Sequence, residues 1–138
     1  MSSPVPLQND KHGKLKVAVS NDYRRYKNNH LVSIVIQDFF TLAVEFPLVF
    51  VKINKSEDFI PVAMMGLREG MNLYCQTEQW KAPAIPMSFS NAPFTISRVD
   101  ENSDKLIVLV DEESPLLSET TGEALFDDAG KRTPYLET

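Results

Sequence analysis

The stretch that decides the fold is 48–67, LVFVKINKSEDFIPVAMMGL. Two apolar runs, LVFVKI at 48–53 and FIPVAMMGL at 59–67, flank the polar segment NKSED. Runs of this length, rich in Val, Ile and Phe, read as strands, and a connection this short returns the chain antiparallel to itself. Pro61 has no N–H to give a ladder, so it is expected at a strand start, a bulge or an edge.

The pattern recurs on both sides. FTISRV at 94–99 and KLIVLV at 105–110 form a second hairpin around DENSD, with Ile107 expected in the core. MNLYCQ at 71–76 extends the first hairpin into a meander, LVSIVI at 31–36 reads as a buried strand, and Leu15, Val17 and Val19 alternate as in a short one. Asp38 precedes Phe39, Leu42, Ala43 and Phe46, which share one helical face, and Pro47 forces the chain out of the helix. The spacing predicts a helix over 39–45. WKAPAIPMSFSNAP at 80–93 holds three prolines, which implies an ordered loop over the sheet with Trp80 as its anchor. For 120–136 two readings stand: a helix capped by Thr120 and Glu123, or a hairpin around DDAG. Strands in local succession without long crossovers predict an α+β fold: one mainly antiparallel sheet of about five to six strands with one or two short helices.

Composition bounds the rest. The 138 residues, 43% hydrophobic and 24% charged, fit one domain at 15–138 behind a flexible, polar arm at 1–14. No window approaches a membrane span and no apolar leader precedes the fold, so the sequence reads as cytoplasmic. The net charge of −5 is uneven. Residues 1–31 carry six bases and two acids, whereas 100–138 carry three bases and eleven acids, so the two ends should attract each other. Lys14, Lys16, Arg24, Arg25 and Lys27 are too few and too dispersed for a nucleic-acid face, and they read as a solvated arm.

The signatures of catalysis fail on residue type. The five glycines form no phosphate-binding loop, and no GxSxG elbow surrounds a serine. The single cysteine, Cys75, reads as a half-buried hydrophobe in a strand. His12 lies in the polar arm, and His30 reads as a surface or capped residue before a strand. Asp111, Glu112 and Glu113, with Asp127 and Asp128, lack the alternation and closing glutamate of a calcium loop; turn formation explains them, with Pro115 fixing φ and Gly130 permitting positive φ. No metal or cofactor is expected. Tyr74, Trp80, Phe89 and Phe94 could line a ligand platform, but aromatic residues at such spacing are more often core. The candidate ligand-binding residues are therefore Tyr74 and Trp80 with Asp111 and Glu112.

HLVSIVIQDFFTLAVEFPLVFVK at 30–52, FIPVAMMGLREGMNLY at 59–74, the Trp80 loop ending in APF, and LIVLVDEESPLLSETTGEALFDDAGKRTPYL at 106–136 resemble, in this order, the bacterial SapC-like proteins. HGKLKV at 12–17 looks like that family's opening. The resemblance implies a longer relative with a further helical portion, so the chain resembles the N-terminal part. It also implies an accessory role near the cell surface layer or in nutrient uptake, and it supplies no catalytic residues. A truncated chain should expose apolar surface around Leu125, Phe126, Tyr135 and Leu136 and so bind a protein partner or form a homodimer. Two functions stand: a non-enzymatic accessory or interaction protein, and a small-molecule binder or enzyme with a pocket near Trp80 and Asp111 or Glu112.

Overall fold

A computed structural model describes residues 3–137. In chain order it contains β1 (Val5–Pro6), α1 (Asn9–His12), β2 (Lys16–Val17), β3 (Leu31–Ser33), α2 (Phe39–Leu42), β4 (Leu48–Lys52), β5 (Phe59–Met64), α3 (Met87–Ser90), β6 (Phe94–Arg98), β7 (Leu106–Val110), β8 (Leu117–Ser118), β9 (Glu123–Ala124) and α4 (Pro134–Glu137). The fold is α+β and mainly β, as expected, but its strands form three antiparallel sheets of three strands rather than one sheet. The chain divides into two compact units: a central one, Asn21–Ser90, and a flanking one built from Met1–Ser20 and Asn91–Thr138.

In the central unit the sheet runs β3-β5-β4. The β4–β5 hairpin pairs Val49 with Val62 and Val51 with Ile60, and Lys55 takes a positive φ of 66° in the turn between them. Pro61 sits in the middle of β5, the sheet's centre strand, and not at an edge. The ladder tolerates it because its nitrogen faces away from β4, toward the place where β3 has already ended at Ser33; only Ile34 reaches it, donating to the Pro61 carbonyl at 3.2 Å.

The expected strand at 71–76 is instead a series of turns. Asn72, fully buried, accepts the Tyr74 N–H on its own side-chain oxygen at 2.9 Å, so the side chain takes the place of a ladder partner. Cys75 is accordingly fully buried just after that turn, and not half-buried in a strand. Helix α2 is shorter than the spacing predicts, a single α-turn preceded by a 3₁₀ turn at Ile36–Asp38. Asp38 forms no cap hydrogen bond to this helix. It is buried and accepts the Met87 N–H at 3.2 Å, which ties α2 to the start of α3.

The core of this unit joins Leu42, Phe46, Ala63, Met65 and Cys75 to the rings of Tyr23, Tyr26, Tyr74, Trp80 and Phe89. Trp80 anchors its loop as expected, donating Nε1–H to the Ala84 carbonyl at 2.9 Å. The basic residues expected to be a solvated arm are partly absorbed. Arg25 lies over the Tyr26 ring at 4.7 Å, and Arg24 pairs with Asp22.

In the flanking unit one sheet runs β1-β7-β6, with Val5 and Phe94 both opposite Val110, and another runs β8-β2-β9. The lead-in expected to be flexible thus supplies a strand, a helical turn and the buried His12. Ile107 is only half-buried; Val110 is the fully buried residue of β7. Val17, Leu116 and Leu125 form the second core, against which Phe94, Phe126 and Leu136 pack. Leu125 is fully buried, so the apolar surface expected around 125–136 is largely consumed by the unit's own core, with Tyr135 at its rim. The segment after β9 is a hairpin turn: Asp127 donates its N–H to the Lys131 carbonyl at 2.8 Å, and Gly130 takes φ 76°.

Candidate ligand cleft at the His12–Glu112 clasp

The acidic proline segment DEES builds a turn at the end of β7. The Asp111 carboxylate accepts the Glu113 N–H at 3.1 Å, and the Ser114 hydroxyl accepts the Leu116 N–H at 3.3 Å. This turn presents Glu112 to α1. There Lys11 Nζ and His12 Nε2 both meet Glu112 Oε1, at 2.7 and 2.9 Å. The attraction expected between the two ends of the chain takes this form.

The protonation pattern of His12 follows from its partners. Nδ1 accepts the Gln8 N–H at 2.9 Å, so the neutral ring carries its proton on Nε2, where it is donated to Glu112. The ring is buried, with 2% of its side chain exposed, whereas Glu112 retains 39%. Lys11, and then His12, hold the Glu112 carboxyl below the usual carboxylate range by hydrogen bonding to its charged form. Beside the clasp lies an open cleft of about 370 Å³, lined by Lys11, His12, Leu15, Glu112, Ser114, Leu117, Ser118 and Glu119. Among the described residues no group of His, Cys, Asp or Glu is placed to hold a metal.

The four residues singled out from sequence fall in two different units. Glu112 lines the cleft and Asp111 shapes the turn beneath it, both in the flanking unit, whereas Tyr74 and Trp80 belong to the central unit. There the rings of Tyr74 and Trp80 sit 5.9 Å apart, and Trp80 meets Phe89 edge-on at the same distance. Both rings are half-buried and pack against the central core. Phe94, grouped with them in the sequence, packs in the flanking core. Sequence reasoning missed Lys11 and His12 as site residues; the opposite charge of the two ends of the chain was the signal for Lys11, and the opening HGKLKV the signal for His12.

The SapC family model matches residues 7–138. The chain belongs to the SapC family. No curated protein and no solved structure matches it. The match begins just before α1 and takes in both halves of the clasp, so the Lys11–His12–Glu112 cluster lies wholly within the SapC region. No helix among the described residues is long and apolar enough to cross a membrane.

Proposed function

We propose that this SapC protein is a non-enzymatic accessory or interaction protein, working in the surface-layer or nutrient-uptake setting that the family resemblance implies. The observation that carries the reading is the state of His12. A general base needs a ring nitrogen within reach of a substrate proton, and both nitrogens of this imidazole are already engaged, one by a backbone N–H and one by Glu112. Lys11, the nearest amine, is bound to the same carboxylate oxygen. The cluster fastens α1 to the β7 turn and leaves no base and nucleophile poised together.

A second reading rests on the cleft itself: a volume of about 370 Å³ beside a carboxylate with a lowered pKa is room for a small polar ligand. Incubating the protein with a small-molecule cell extract and comparing the extract by mass spectrometry tests the first reading. An unchanged extract is expected. A compound consumed by the wild type and spared by Glu112→Gln would overturn it. A compound that raises the melting temperature of the wild type alone, without being consumed, would favour the binder.

A further inference from the structure

The outer side of the segment that carries α2 is apolar along its whole length. Ile36, Phe40 and Val44, four residues apart, are 82%, 91% and 84% exposed. Phe39, Leu42 and Phe46 occupy the inner side and pack into the central core, so the outer three contribute nothing to it. Side chains spaced by four form one ridge of a helical surface. Three large apolar residues at such exposure amount to roughly 500 Å² of apolar surface in one row, near the upper size that a monomer leaves uncovered.

We infer that this ridge is a homodimer contact, occupied by the same ridge of a second copy of the chain. Three features select a second copy. The row is symmetric about Phe40, with a β-branched residue four positions to either side. A twofold axis through Phe40 therefore sets Phe40 against Phe40 and Ile36 against Val44 of the other copy, which is the self-complementarity that an isologous contact requires.

Charge agrees. Residues 21–90 carry seven Lys or Arg and seven Asp or Glu, so two central units meet without net repulsion, and the whole of the chain's −5 belongs to the flanking segments. On the exposed side of the ridge, Gln37 and Thr41 are uncharged and Glu45 is the single charged residue between 36 and 46, because Asp38 is turned inward to Met87. The area agrees as well: two such ridges, fully covered, bury on the order of 1,000 Å² in total, the lower bound for a specific interface. The contact is independent of the accessory reading, since an enzyme or a binder could dimerise in the same way.

The test is the mass of the full chain in solution by sedimentation equilibrium, at protein concentrations from about 1 to 100 µM, a range that spans a micromolar dissociation constant. The wild type should double its mass across that range, and Phe40→Glu should remain a monomer whose melting temperature, compared at about 1 µM where the wild type is also monomeric, is unchanged. Val44→Lys serves as a second variant should Phe40→Glu fold poorly. Phe40→Cys should form a disulfide-linked dimer under mild oxidation, because the axis passes through residue 40, whereas Lys55→Cys on the β4–β5 turn should not. A wild type that stays monomeric, a Phe40→Glu that dimerises like it, or equal cross-linking of both cysteine variants would each overturn the inference. Co-sedimentation of a monomeric wild type with anionic lipid vesicles would overturn it too and assign the ridge to a membrane surface.

Discussion

Replacing His12 by alanine should unfasten the flanking unit at a measurable cost. The substitution removes the acceptor of the Gln8 N–H and the donor to Glu112, and it leaves a void where a ring with 2% side-chain exposure stood. A backbone donor left without its partner costs about 1–3 kcal/mol, and the lost packing of a buried ring adds to that, so a total of about 2–4 kcal/mol is expected. At roughly 3–4 °C per kcal/mol for a chain of this size, the melting temperature should fall by about 6–16 °C. His12→Asn separates the two hydrogen bonds, because a side-chain oxygen two bonds beyond Cβ can take the place of Nδ1 while Nε2 is lost. It should recover part of the cost. Urea melts of the wild type, both variants, Glu112→Gln and the double variant His12→Asn/Glu112→Gln complete the comparison. If His12→Ala melts within about 0.5 kcal/mol of wild type, the clasp holds nothing together, since that is the scatter of an ordinary surface substitution.

Two further perturbations follow from single geometries. Gly122 has φ 111°, and a Cβ there would collide with the Val17 carbonyl oxygen; Gly122→Ala should therefore destabilise by more than about 2 kcal/mol in a denaturant melt, by parting β2 from the chain before β9. Asp22, hydrogen-bonded by Arg24, has its pKa lowered to about 2, below its unfolded value, so its contribution to stability is present above the unfolded pKa near 4 and is lost as pH falls from there toward 2. Arg24→Ala should flatten that part of the pH–stability curve, and an identical acid limb in wild type and variant would refute the pairing.

Both long hairpins were legible, with ends within a few residues, because their signal is local: alternating or fully apolar runs across a short polar connection. What binds the hairpins into sheets was not. β1 meets β7 across about a hundred residues, and β3 meets β5 across about thirty; a two- or three-residue strand of ordinary composition carries no mark of a partner that far away. The strand expected at 71–76 failed for a nameable reason, since its apolar residues are real but Asn72 turns the backbone onto itself. The candidate site was half legible. The acids at 111 and 112 stood out as the densest oxygen cluster, while His12 sat in a segment whose polarity resembles disorder, and a buried histidine is made by its partners rather than by its neighbours in sequence.

The helix at 39–45 teaches the converse. Phe39, Leu42 and Phe46 satisfied the inner-face pattern, and the pattern was correct for them. Ala43, expected on the same face, is exposed in the structure. The complementary positions 36, 40 and 44 were apolar too, and a helix apolar on both sides is ordinarily buried on both. Here the chain covers one side and leaves the other open. A local pattern identifies which residues avoid water and says nothing of how many neighbours the fold supplies. An excess of apolar positions over available cover leaves apolar surface exposed, and in the segment that carries α2 that excess falls on Ile36, Phe40 and Val44.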